Sequence, residues 1–207
     1  MKKIAITGGI ASGKNTVADI FKRKYHIPVV DTDQIAKDIV QPGSVLLNKI
    51  VDKFGADILN PNNSLNRKKL RDVIFHDPDS KLRLEQLLHP VINLEMQNQI
   101  KLNEHKISTN NLDINYCLLV IPLVTQAYLK RNEFIDRVLV VDSNIADQIA
   151  RGQKRDEQNK EQIESVIKQQ ISREERLVLA NEVIFNDAGM DKLEKEVDRV
   201  HQIYKAL

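Results

Sequence analysis

The sequence predicts an α/β fold, a three-layer sandwich with a parallel sheet between helices. Three observations lead there. Residues 3–7 (KIAIT) form a short apolar run that enters a glycine-rich turn and then a segment, 14–24, where Val17, Ala18, Ile20 and Phe21 recur at helical spacing. The later runs 27–30 and 116–122 are apolar without interruption, and 137–142 (RVLVVD) has an apolar centre, as strands covered by helices on both faces must. Between these runs the apolar residues fall at intervals of three and four, the period of helices.

Taken in order, 3–7 is the first strand, 14–24 the first helix, and 27–30 a second buried strand ending in Asp31-Thr32-Asp33. Residues 44–107 are expected to be mainly helical, with Pro42-Gly43, Pro61-Asn62-Asn63, Pro78 and Pro90 dividing them into several short helices. The Asn-rich stretch 103–115 is expected to be an exposed connection. Strands at 116–122 and 137–142 follow. Residues 145–179 are helical and very polar, with too few apolar residues for full burial, and are expected to form a cover. Val183 and Ile184 add a short last strand. Leu193, Val197, Val200, Ile203, Tyr204 and Leu207 then mark one face of a closing helix docked on the sheet.

A chain of 207 residues, 42% hydrophobic and 29% charged, has room for one domain with a substantial core and is far from the composition of a disordered segment. No apolar run approaches the roughly 18 residues that span a bilayer, and MKKIAITGG turns glycine-rich before a signal-peptide core can form, so a cytoplasmic location away from membranes is expected. A net charge of +2 with 4% aromatics offers no basic, stacking surface for nucleic acid. The single cysteine, Cys117, sits in an apolar run and reads as a packing residue.

The chemistry begins at residues 8–16, GGIASGKNT, which nearly matches the phosphate-binding loop G-x-x-x-x-G-K-[ST] and places the fold as P-loop NTPase-type. Successive backbone amides of Gly8, Gly9, Ala11, Ser12 and Gly13 can curl around phosphates at the positive end of the first helix. Lys14 supplies a cation and Thr16 a hydroxyl. Asn15 stands where a hydroxyl normally meets Mg²⁺. Its carboxamide has three open outcomes: direct ligation, ligation through water, or a weakened metal site.

Ligands of such sheets gather at the carboxyl ends of the strands, where Asp31 and Asp33 lie. Asp33 is a candidate base for an attacking hydroxyl, and Asp31 for a metal-bound water; capping of the next helix is the competing reading for both. Asp142 also ends an apolar strand, with Mg²⁺ orientation and a turn or cap before Ile145 as its two readings.

Together these residues resemble the dephospho-coenzyme A kinase family nearly end to end. The resemblance rests on TGGIASGKNT (7–16), VVDTDQIA (29–36), LNRKKLRDVIF (65–75), LLHPVI (87–92), IPL (121–123), RVLVVD (137–142), RGQKRD (151–156) and SREERLVLANEVIFNDAG (172–189). It implies transfer of the ATP γ-phosphoryl group, with Mg²⁺, to the ribose 3′-hydroxyl of dephospho-coenzyme A. It also implies one domain over 1–207, with a helical substrate subdomain at about 42–108 and a helical lid at about 143–180. Asp33 maps onto the family's base. Arg151 and Arg155, one helical turn apart, become phosphate ligands, and Arg173 and Arg176 form a second such pair. By pattern alone all four belong to a solvated face, with Glu157, Glu161, Glu174 and Glu175 as partners. Arg67, Arg71 and His89 become candidates for binding the substrate. Besides Asn15, the chain departs from the family pattern at Gln126 and Asn181, where acids are usual. The rival readings are a nucleoside monophosphate kinase of the same fold and a nucleotide-dependent switch or binding module without catalysis. A GTPase is disfavoured because Asn159-Lys160-Glu161-Gln162 lacks the final acid of the guanine-reading motif.

Overall fold

The computed structural model describes residues 1–156 and 159–207. Strand β1 (Lys2–Gly8) is the middle of a five-stranded parallel sheet. On one side of it lie β3 (Tyr116–Val120) and then β2 (Val29–Asp31), and on the other β4 (Arg137–Asp142) and then β5 (Glu182–Phe185). Because every pair is parallel, all carboxyl ends share one edge, with Asp31 level with Val120 and Val120 with Ile6. Strand β2 starts later than the apolar run 27–30 suggests. Pro28 has no N–H to give the ladder, and only its carbonyl is used, accepting the Leu118 N–H at 2.9 Å.

Helices α1 (Lys14–Tyr25) and α10 (Met190–Lys205) pack their apolar stripes on this sheet. Val17, Ile20 and Phe21 from α1, and Leu193, Val197, Val200 and Tyr204 from α10, join Ile4, Ile6, Leu118, Leu139 and Val141 in one buried cluster. Each fully buried aliphatic side chain there contributes roughly 1.5–3 kcal/mol. Cys117 is fully buried in β3, and burial pushes its thiol up to about 12, so it packs and does not react. Tyr204 extends the core to a polar group: its hydroxyl donates to Glu182 at 2.7 Å, and Glu182 is also forked by Arg137.

The chain divides into two compact units, one made of residues 1–31 and 102–207, the other of residues 32–101. The second holds α2 (Thr32–Asp38), α3 (Val45–Phe54), a 3-10 turn at Ala56–Ile58, α4 (Arg67–His76) and the start of α5 (Pro78–Thr109). Its core is Val40, Leu46, Ile50, Ile58, Leu70 and Leu84. Ser44 and Asn66 set the starts of α3 and α4, their side chains accepting the N–H groups of Leu47 and Lys69 at 3.1 and 3.0 Å.

Two expectations are corrected here. Pro90 does not divide the helix: α5 continues through it for 32 residues. The missing N–H and the clash with the Gln86 carbonyl are local penalties, and the buried positions on either side, Leu84, Met96 and Ile100, outweigh them. Residues 103–109 are helical too, and Glu104 pairs with Lys3 at 3.0 Å, so the exposed connection shrinks to 110–115.

The polar cover resolves into α7 (Ile145–Asp156), α8 (Lys160–Gln169) and α9 (Arg173–Val178). Asn159 and Gln162 form a capping box for α8, and Ser172 and Glu175 one for α9. Glu175 is thereby spent on backbone. Glu157, one expected partner of the arginines, lies outside the described residues. A short α6 (Gln126–Arg131), which the sequence did not announce, starts at Thr125, whose hydroxyl accepts the Tyr128 N–H at 3.1 Å. Among the described residues no helix is long and apolar enough to cross a membrane.

Candidate phosphate-transfer site

The loop between β1 and α1 is held open by backbone geometry. A Cβ on Gly8 would lie 2.2 Å from the Val141 carbonyl, so only glycine lets β1 end this close to β4. Ala11 then takes a left-handed φ of 53° and Gly13 one of 99°. The two left-handed residues curl the backbone in the manner of an anion-binding nest, at a cost of about 1 kcal/mol for the alanine, and the Ser12 N–H closes the turn by donating to the Gly9 carbonyl at 3.2 Å. No side chain caps α1. Its amino end therefore presents amide dipoles toward the loop, and the buried Ser12 hydroxyl has no partner among the described residues. Lys14 curls back, its ammonium donating to the carbonyls of Gly8 at 3.0 Å and Gly9 at 3.2 Å. Asn15 and Thr16 are exposed on the first turn.

Side chains distant in sequence brace this loop. The Ile10 N–H donates to Oε1 of Gln170, at 3.0 Å, from the turn between α8 and α9. Asn186, the first residue past β5, donates its Nδ2 to the Ser12 carbonyl at 2.9 Å. Arg151 on α7 donates through Nη2 to the Asn186 carbonyl at 2.8 Å and lies 3.6 Å from Asp147, while its buried Nη1 has no partner among the described residues. Beside the loop, Gly13, Thr16, Arg151, Asn186, Gly189 and Met190 line a cleft of about 350 Å³. Sequence reasoning did not single out Gln170 or Asn186. Asn186 had one signal, its place just beyond a strand's carboxyl end; Gln170 had none.

The other arginines separate. Arg155 is exposed on α7. Arg173 forks onto Asp142, and Arg176 is buried, its Nη2 donating to the Ile171 carbonyl at 2.9 Å while burial holds the guanidinium below its ordinary range. Arg173 and Arg176 therefore serve the fold in this state. Asp142, with Mg²⁺ orientation and a cap as its two readings, is paired with Arg173 in this structure, and Asn144 caps α7 by accepting the Asp147 N–H at 2.8 Å. Asn181 is tied to β4: its Oδ1 accepts the Val138 N–H at 2.8 Å and its own N–H donates to the Val138 carbonyl at 2.9 Å, bonds that an aspartate could make as well.

Asp31 closes β2, half-buried, and Asp33 follows on the exposed first turn of α2. In the second unit, Arg67 and Arg71 border a cleft of about 230 Å³ whose walls include Val40, Ile50, Leu70 and Leu84. His89 is exposed on α5, outside the set lining that cleft. Among the described residues no three acids, histidines or cysteines cluster as a metal cage.

The dephospho-CoA kinase family model matches residues 2–192. A dephospho-CoA kinase of Mannheimia succiniciproducens is 40% identical over 208 residues, covering 99% of this chain and 92% of the relative. Among solved structures, a Thermus thermophilus protein superposes with a TM-score of 0.75 at 23% identity, covering 98% of this chain and 96% of its own, a likeness of fold. The dephospho-CoA kinase of Campylobacter jejuni superposes with a TM-score of 0.69 at 25% identity, covering 100% and 99%. A phosphate loop at the expected edge of a parallel sheet and a family match over nearly the whole length agree: the chain belongs to the dephospho-CoA kinase family.

Proposed function

We propose that the chain transfers the γ-phosphoryl group of ATP to the 3′-hydroxyl of dephospho-coenzyme A, giving coenzyme A and ADP. The family match over residues 2–192 carries this reading. In the reaction the 3′-oxygen bonds to the γ-phosphorus as the bond to the β–γ bridging oxygen breaks, and the hydroxyl proton passes to Asp33. The moving group is loose and its charge is spread over its oxygens, so enclosing cations matter more than a strong base.

The triphosphate lies in the nest of residues 8–16, and Lys14 exchanges the Gly8 and Gly9 carbonyls for phosphate oxygens. The orphan Nη1 of Arg151 and the buried Ser12 hydroxyl support this, since each is a polar atom awaiting a partner. The nucleoside occupies the cleft lined by Thr16, Arg151, Asn186 and Met190. Arg155 joins Arg151 on the phosphates. Magnesium, when bound with ATP, offsets phosphate charge and orients the oxygens; Asn15 and Asp31, the latter through water, would hold it. The separate compaction of residues 32–101 supports a substrate subdomain within about 42–108, with Arg67, Arg71 and His89 as its polar contacts. Helices α7 to α9 are the candidate lid, about 143–180.

Incubation with Mg-ATP and dephospho-coenzyme A, following ADP release and product mass, tests the reading. A phosphorylated product is expected. Transfer to nucleoside monophosphates instead, or nucleotide binding without transfer, would overturn it.

A further inference from the structure

We propose that Asn186 is a positioning residue that locks the phosphate loop and Arg151 into one geometry, so that cradle and cation meet the same nucleotide in register. This rests on the reading that ATP occupies the loop. Asn186 bonds to three separate elements at once. Its N–H donates to the Asp142 carbonyl at 2.8 Å, adding a rung beyond the last paired residues of β4 and β5, Asp142 and Phe185. Its backbone is thereby fixed to the sheet. Its Nδ2 donates to the Ser12 carbonyl inside the loop at 2.9 Å, and its carbonyl accepts from Nη2 of Arg151 at 2.8 Å.

The carboxamide orientation follows from chemistry, because only the NH₂ end can bond a carbonyl oxygen. The amide also occupies the space that a side chain at position 13 would need: a Cβ on Gly13 would fall 2.2 Å from Nδ2. Gly13 thus lies flat against Asn186, and the loop cannot shift toward β5. With one guanidinium arm held by the Asn186 carbonyl and Asp147 3.6 Å away, Arg151 keeps its orphan Nη1 at a set distance from the loop. Phosphoryl transfer depends on such placement, since a misplacement of about 1 Å can cost about a hundredfold in rate.

The experiment compares Asn186→Ala and Asn186→Asp, each alone and combined with Arg151→Ala, alongside Arg151→Ala by itself. Aspartate preserves shape and backbone bonds but turns an oxygen toward the Ser12 carbonyl. Turnover, binding of a non-hydrolysable ATP analogue and melting temperature are measured together. Each single variant is expected to bind the analogue about tenfold more weakly, the loss of about one good hydrogen bond, and to lose kcat. The KM for dephospho-coenzyme A should stay within about twofold, because the acceptor does not touch this network. Combination with Arg151→Ala should cost at least about threefold less than the product of the single effects. Folded variants with unchanged analogue affinity and kcat, or fully independent effects, would overturn the proposal. So would unfolding of both variants at the assay temperature, since a purely structural role would then suffice. Analogue binding needs no acceptor. A chain that binds it in this Asn186-dependent way yet makes no coenzyme A would therefore sink the catalytic reading and leave this one standing.

Discussion

Arg173 reaches from α9 and forks onto Asp142 at the end of β4, with Nε 2.9 Å and Nη2 2.7 Å from Oδ2. The two ends of this pair sit in different surroundings: the Asp142 side chain is 2% exposed and that of Arg173 49%. An acid at a strand's carboxyl end could otherwise draw a metal into the site. Here it ties the polar cover to the sheet.

That asymmetry predicts unequal costs. Arg173→Ala leaves a carboxylate buried without its partner and should destabilise by about 2 kcal/mol, whereas Asp142→Asn leaves an arginine that can turn to water and should cost about 1 kcal/mol. The double variant should be no worse than Arg173→Ala alone. Urea unfolding of the four proteins checks this; equal and additive losses would mean that the pair is a surface contact of little worth.

Asn15 predicts a shift in metal dependence with no change in stability. The residue is exposed on the first turn of α1, so Asn15→Ser should leave the melting temperature within about 1 °C. A serine hydroxyl is shorter and suits the tight octahedral shell of Mg²⁺, so the concentration giving half-maximal turnover should fall several-fold. The natural chain should already turn over. An inactive natural chain rescued by serine would show that the carboxamide disables the metal site.

The loop was legible because its chemistry is local: two glycines, a lysine and the strand–turn–helix context lie within about twenty residues. Strand β4 was legible at its full bounds because the apolar residues 138–141 run unbroken between Arg137 and Asp142. The braces of the loop were not. Asn186 and Gln170 act on backbone atoms 174 and 160 positions away, and no spacing rule announces a side chain whose partner is a distant peptide group. The Arg173 partner of Asp142 was hidden for the same reason, since it arrives from another helix.

Pro90 was misread in the opposite direction, as a local breaker stronger than its surroundings. It sits exposed within α5 and denies the Gln86 carbonyl its usual donor. Pro90→Ala restores that bond and removes the ring clash, so the urea midpoint should rise, by about 1–3 kcal/mol in free energy. A lower midpoint would mean that the proline bend is itself needed for packing.

His201 predicts how stability depends on pH. Its ring stacks on Tyr25, centroids 3.6 Å apart and planes 10° from parallel, and its Nδ1 lies 2.7 Å from the Tyr116 hydroxyl. Burial holds the Tyr116 phenol far above its ordinary value, so it stays protonated and donates, which leaves Nδ1 as acceptor and the imidazole neutral. Burial, and then Lys205, push the His201 pKa below its ordinary 6.5, while Asp198 pulls the other way. Asp198 is already engaged, accepting from Lys24 at 2.6 Å and from the Tyr25 hydroxyl at 2.6 Å. A histidine depressed in the folded state contributes stability that is complete above about pH 6.5 and is lost as pH falls through its folded value, because the unfolded chain takes up the proton first. The ring is only partly buried, so solvent screening keeps the effect below about 1 kcal/mol. Asp198, itself depressed from 3.8 by Lys24 and Tyr25, acts only at lower pH. The urea midpoint should therefore drop between pH 7.5 and 5.5 in the natural chain and drop less in His201→Gln, whose side chain does not titrate. An equal drop in both proteins would assign the pH dependence to other groups and refute a neutral, stacked His201.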